Sequence, residues 1–292
     1  FLIIIFGYVI QRKGFLKSHF IQESNRFIFL FPLPLLIFTG IVKSRIEEVS
    51  FTLIFSVVLP TIAVFFISMF IGKTGGLKAG RLGTFVQTTF HGNVSYIGLA
   101  VLFYMLGEEG LKRGSILIGI LILVNNTMAI AVLSWASQNQ KNIMKGLLSV
   151  IKTPVIVATF TGIIALYLNV TLPKVLLRSM EILANIALPM ALIIIGASIS
   201  LGTIRRSFKL SAAISLLKLV FLPFLAFLYC TLFLIPVKDA LPGIILLSTP
   251  TATTSYILAQ ELGGDTDIAS GAVTLCTMLS PLTFVLWASL IS

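Results

Sequence analysis

Charge is what this sequence has least of. Asp and Glu supply 10 of its 292 residues and Lys and Arg 21, together 11%, while 57% are hydrophobic. Soluble domains carry about a quarter charged residues, so the composition excludes one and assigns the chain to a bilayer. The few acids also avoid the apolar runs: none lies midway along one, and His91 is the single histidine inside one. An intramembrane enzyme would need a Ser or Asp dyad or a histidine-rich metal set there. Neither an HExxH helix nor a GxSxG elbow occurs. The expectation is therefore no enzyme, no metal and no cofactor. Cysteine is nearly missing too. Cys230 and Cys276 both fall in apolar runs, which argues against a disulfide framework and a metal cluster alike.

Polar sequence between the runs is short. A span takes about 20 residues, so the length holds roughly ten spans and leaves no room for a separate soluble domain. The segment 72–80 (GKTGGLKAG) contains Gly-Lys-Thr, but the upstream Gly of a phosphate-binding loop would fall at Ile67, so that motif is rejected. The net charge of +11 comes from basic residues in short loops between apolar runs. Topology and lipid headgroups account for such a pattern better than nucleic acid does. Phe1 already stands inside an apolar run, which reads as the end of a first span begun upstream, and not as a signal peptide.

The apolar runs come in order. A truncated first span covers 1–10, followed by 21–42 with Pro32 and Pro34, 51–71 with Pro60, 81–107, and 115–135 with Asn125, Asn126 and Thr127. After the polar connector 138–146 come 147–168, broken by Pro154, and 183–200 with Leu188-Pro189. Then follow 210–235 with Lys218 and Pro223, 240–262, and 268 to the end. This divides the chain into five-span halves, 1–137 and 147–292. An odd number of spans per half forces opposite orientations, the inverted-repeat plan. Each loop in one alternate set carries three Lys or Arg, such as Arg12, Lys13 and Lys17. The opposite loops carry fewer, mixed with Glu47, Glu48, Glu108, Glu109, Glu181 and Asp239. The positive-inside rule makes the first set cytoplasmic and puts both termini outside.

Two runs are polar at their centres. In RLGTFVQTTFHGNVSYIGLAVLFYMLG, His91, Gly92, Asn93 and Ser95 interrupt an otherwise apolar span. Gly costs about 1 kcal/mol in a helix interior and Asn also lowers propensity. In LSTPTATTSYILAQEL, Pro250 and a set of Thr residues do the same, and Gly92 to Ile97 lies over Ala252 to Ile257 with Ser, Tyr and Ile identical. Interrupted backbone at membrane depth is tolerated where it lines a cavity or packs inside protein, and carriers use it to build midplane sites.

These segments resemble the auxin efflux carrier family, in its bacterial permease branch without the long plant loop. The resemblance is carried by GTFVQTTFHGNVSYIGLAVL with Gly-Glu-Glu-Gly from Gly107, by ALPMALIIIGASISL and LKLVFLP, and by STPTATTSYILAQELGGD with TLCTMLSPLT. It implies an all-helical membrane fold of about ten helices in two inverted repeats, with the fourth and ninth broken and crossing, as in bile acid–sodium symporters. It also implies transport of a small organic anion, auxin in plant members and dicarboxylates such as malonate or malate in bacterial ones. A plasma-membrane location, H+ or Na+ as coupling ion and a homodimer go with that expectation. The sequence departs from the family in having Thr253 where plant carriers tend to have a second Asn, and Thr153-Pro154 where Asn-Pro is usual.

The candidate substrate residues are Asn93, Gly92, Ser95, Pro250, Thr251, Thr253, Thr254 and Ser255. Each has a structural alternative: Asn93 as a bond to a neighbouring helix, the Thr hydroxyls as caps on carbonyls freed by Pro250. His91, Lys218, Asn125 and Gln260 are the candidates for ion coupling. Lys218 lies nine residues past Lys209, some 13 Å deep, and reads either as functional or as structural, held by a salt bridge or caged by carbonyls. Gln260, with Glu261, Asp265 and Asp267, reads either as an ion site or as a solvated cap. A channel would show a repeated filter or charged ring in place of two unlike breaks.

Overall fold

The computed structural model describes residues 1–44, 51–137, 148–199 and 201–291. The expected connector 138–146, and the loop charges Arg45, Glu47 and Glu48, lie outside the described residues. Those described form helices throughout, joined by short turns and one isolated backbone bridge between Gly92 and Thr251. Six helical runs among them are long and apolar enough to cross a membrane: Ser18–Val42, Phe51–Thr74, Val94–Ala136, Lys174–Ala197, Ile204–Leu232 and Thr266–Leu290. Leu2–Arg12 and Pro154–Tyr167 are shorter apolar helices. The long runs carry Phe66, Phe70, Leu232, Leu282 and Val285 on their outward faces, all exposed. Such a surface suits lipid and not water. Several buried hydroxyls donate to the preceding turn, as Thr61 Oγ1 does to Val57 O at 2.7 Å and Ser68 Oγ to Phe65 O at 3.0 Å.

Proline and glycine set the interruptions. Pro32 and Pro34 donate no N–H, and Phe31 before them is pushed out of helical geometry (φ −125°, ψ −72°), so Ser18–Leu30 and Pro32–Val42 meet at a jog. Pro154 opens Pro154–Tyr167 at its first position, with Thr153 extended before it. Residues 148–151 are helical before it, so this proline does interrupt the span, and it does so in a first turn, where a missing N–H costs nothing. Gly107 adopts φ 65° and ψ −154° within Val94–Ala136. Gly114 lies against the Leu102 side chain. Twelve residues along a straight helix would separate these by about 18 Å, so the chain doubles back at Gly107 into two helices. Helix resumes at once there, and the expected loop over Glu108 to Arg113 is helical. Likewise Lys174–Ala184, counted as loop for its charges, is a helix continuing into Ala187–Ala197.

The chain forms two compact units, Phe1–Ser50 with Ser95–Ile120 and Ile151–Ile199, and Phe51–Val94 with Leu121–Val150 and Ser200–Ser292. Each draws on both halves of the sequence. In the first, Leu2–Arg12 packs on Ala187–Ala197, and Pro32–Val42 packs on Pro154–Tyr167 and Lys174–Ala184. Lys43 pairs with Glu181 at 2.5 Å. In the second, Leu201–Leu216 packs along Thr266–Ile291, and Phe51–Thr74 packs on Ala79–Phe90 and Leu222–Leu232.

Candidate functional site

The second unit contains both polar interruptions and bonds them to each other. Ala79–Phe90 ends where Gly92 and Asn93 make poor helix, and His91 turns the chain with ψ 87° after a last helical bond from its N–H to Gln87 O (2.9 Å). Val237–Leu247 ends three residues before Pro250, which can neither donate to the ladder nor clear the preceding turn. Helix resumes at Thr254–Glu261. Between these ends the two extended stretches run antiparallel. Asn93 N donates to Pro250 O and Ala252 N donates to His91 O, each at 2.8 Å. Two backbone groups opened by each break are therefore satisfied by the other.

Side chains cap what the bridge leaves over. A helix end has orphan carbonyls, and several here have side-chain donors. Thr251 Oγ1 donates to Thr88 O at 2.9 Å, with Cys276 Sγ at 3.4 Å on its other side. Ser248 Oγ donates to Ile244 O, and Thr249 Oγ1 to Leu246 O, both at 2.7 Å. Lys218 Nζ donates to Leu247 O at 2.7 Å. Gln87 Nε2 donates to Ser255 O at 2.7 Å, tying the first arm to the resumed half of the second. Gly92 is required by close approach: a Cβ there would stand 2.5 Å from Thr249 Oγ1 and 3.1 Å from Lys218 Nζ.

Of the residues nominated from sequence, the structure brings Gly92, Asn93, Pro250 and Thr251 together at the bridge, Ser255 beside it through Gln87, and Lys218 behind it. Asn93 is buried, Thr253 half-buried and Thr254 exposed. Ser95 is half-buried and begins a segment of the first unit. His91 is buried, and its Nδ1 has no hydrogen-bond partner among the described residues; the same holds for Gln87 Oε1, Asn125 Oδ1 and Ser255 Oγ. Gln260 is exposed on the last turn of its helix, about 9 Å along the axis from Thr254. Asp265 is a helix cap, accepting from Ile268 N at 3.0 Å, and Asp267 pairs with Arg206 at 3.6 Å. Sequence reasoning missed Gln87. Its signal was the polar run Gln87-Thr88-Thr89 one turn before His91.

This arrangement offers neutral dipoles, one buried ammonium and unspent polar atoms. It can hold and release a polar or anionic ligand. A cavity of about 310 Å³ lies elsewhere, in the first unit, lined by Thr39, Lys43, Glu108, Lys112, Arg178 and Glu181 among others. Lys43 and Arg178 share Glu181 there, and Lys112 meets Glu109 at 3.5 Å. The bridge, where buried polar atoms are still unspent, is the better candidate.

The family model described as membrane transport protein matches residues 1–288. The chain is 25% identical over 293 residues to a protein of Rhizobium meliloti described as "Putative malonate transporter", covering 96% of this chain and 90% of that protein. It is 23% identical over 303 residues to an uncharacterized transporter of Methanocaldococcus jannaschii, covering 98% of this chain and 94% of the other. An uncharacterized transporter of Methanothermobacter thermautotrophicus is 21% identical over 289 residues, with coverage of 98% and 94%.

Proposed function

Because the chain belongs to the auxin efflux carrier family of membrane transport proteins, we propose that it is a secondary transporter of small organic anions, carboxylates such as malonate or malate. It works by alternating access around the crossing of its two interrupted helices. The observation that carries this reading is the antiparallel bridge between His91–Asn93 and Pro250–Ala252, buried within one unit of a membrane protein. Scaffold helices do not need such a feature. Carriers do, because a broken helix exposes main-chain dipoles to a ligand at membrane depth.

In this reading the Asn93 amide and the start of Thr254–Glu261 bind the carboxylate, with Thr253 and Thr254 as the accessible hydroxyls. A helix N-terminus favours an anion without a contacting cation, which suits a site that must also release. Gly92, Pro250, Thr251 and Ser255 shape the break. The Gly107 hairpin supports counting about ten spans in two inverted halves, with both termini outside a plasma membrane. Energy comes from an ion gradient, from membrane potential or from the substrate's own gradient, since the sequence has no nucleotide-binding motif. The test is uptake of labelled malonate into proteoliposomes, with a thermal-shift screen of mono- and dicarboxylates beside it. Saturable uptake matched by ligand-dependent stabilisation is expected. Uptake no greater than in empty liposomes, with no stabilising carboxylate, would overturn the reading.

A further inference from the structure

Lys218 is the one lysine that the chain buries completely among the described residues. It sits on a wide π-helical turn, Leu217–Phe221, between Leu201–Leu216 and Leu222–Leu232. A carbonyl on that turn, Leu219 O, is capped by Trp287 Nε1 at 2.9 Å, so the turn is fixed from the neighbouring helix. Lys218 Nζ reaches the last carbonyl of Val237–Leu247, at 2.7 Å from Leu247 O. Among the described residues it makes no ion pair. It also abuts the bridge itself, since a methyl group on Gly92 would lie 3.1 Å from Nζ. An ammonium has three donors, and a buried one without a carboxylate is costly to keep.

Its position explains why it is kept. Where a transporter helix is interrupted, the carbonyl end carries partial negative charge, and exchangeable cations bind at such ends. Here that place is held by a side-chain amine tethered to the chain. We propose that Lys218 is the resident cation of the crossing: it occupies the carbonyl end of Val237–Leu247 in place of an exchangeable metal ion and supplies the positive charge that a bound anion meets across the Gly92–Asn93 backbone. This rests on the organic-anion reading above and adds to it the source of charge selectivity. Across roughly 8 Å at an effective dielectric of about 20, Coulomb's law corresponds to about a thirtyfold gain in affinity for one substrate charge, and more for a dianion.

The test compares the parent with Lys218→Met and Lys218→Arg, binding malonate (two charges) and malonamate (one charge) in sodium and in choline buffers. Met matches the volume of Lys without its charge, so folding should survive; replacing a buried charge by an apolar residue is often neutral. The expected result is parent stability and affinity that do not differ between sodium and choline. Lys218→Met should lose about thirtyfold for malonamate and clearly more for malonate, while Lys218→Arg keeps the ratio between the two ligands. An equal loss for both ligands would mean a packing role only, and no loss would mean no role; either overturns the proposal. Stabilisation of the parent by sodium overturns it independently of any substrate. That comparison decides alone if Lys218→Met does not fold or if the parent binds neither acid, the latter being a failure of the carboxylate reading and not of this one.

Discussion

Gly92→Ala is the smallest change that attacks the crossing, and its effect can be worked out from the neighbours of the new methyl group. It would stand 2.5 Å from Thr249 Oγ1, where ordinary contact begins at 3.4 Å, so one of the two must give by roughly 0.9 Å. The hydroxyl is not free to swing away, because it donates to Leu246 O at 2.7 Å. Losing that bond costs about 1 kcal/mol. Moving the methyl the other way presses on Lys218 Nζ at 3.1 Å and loosens its bond to Leu247 O. Overpacking of a dense interior costs about 1–3 kcal/mol, and the entropy gained by replacing Gly offsets about 0.4–1 of it. A net loss of about 1–2 kcal/mol is expected, read as a lowered Tm of purified protein in detergent, together with reduced substrate affinity. Thr249→Ala removes the obstructing oxygen, so Gly92→Ala with Thr249→Ala should be more stable than the two single losses combined predict. Strict additivity in that double-mutant cycle, or a Gly92→Ala protein as stable as the parent, would refute the reasoning.

Thr251→Val keeps the shape of the second break but removes the donor to Thr88 O; a buried carbonyl left unpaired should cost about 1–3 kcal/mol of stability in thermal unfolding. Gln87→Leu should cost a similar amount by freeing Ser255 O, and a full Tm in that variant would mean the arms are held by the bridge alone. For topology, in a background with Cys230 and Cys276 replaced, a thiol at the exposed Lys13 should react with an impermeant reagent only after the cytoplasmic face is opened. A thiol at Glu108 should react in intact cells, and the reverse pattern would invert the orientation read from the basic loops.

The all-helical, membrane-spanning character was legible because hydropathy marks the runs that lipid must cover. Both breaks were legible as well, since Gly92-Asn93 and Pro250 are poor helix in sequences that are otherwise good helix. Two features were not. Charge misled at Lys174–Ala184 and at Glu108 to Arg113: Lys, Glu and Arg form helix as well as Leu does, so a charged segment need not be a loop. The pairing of His91–Asn93 with Pro250–Ala252 was hidden for a different reason. Two main-chain hydrogen bonds between segments some 160 residues apart leave no mark on side-chain chemistry. Gln87 belongs to the same class, since its partner is the Ser255 carbonyl and not a side chain. The burial of Lys218 was foreseeable from its depth, but its ligand, a helix-terminal carbonyl, was one of several choices.

The claim that the crossing is the substrate site comes down to Asn93, whose backbone closes the bridge through Pro250 O and whose amide can both donate and accept. Asn93→Ala keeps the backbone bond and removes the amide. A hydrogen bond to a charged group contributes about 1.5–3 kcal/mol, so carboxylate affinity should fall roughly tenfold to a hundredfold, with Tm close to that of the parent. Ser134→Ala serves as control: in the same unit, its hydroxyl is buried with no hydrogen-bond partner among the described residues, so its removal should leave affinity unchanged and stability no lower. Measuring the Kd for malonate on these three proteins decides the matter. The account predicts a weakened Asn93→Ala beside an unaltered Ser134→Ala, and an Asn93→Ala protein that folds normally and binds malonate as tightly as the parent would contradict it.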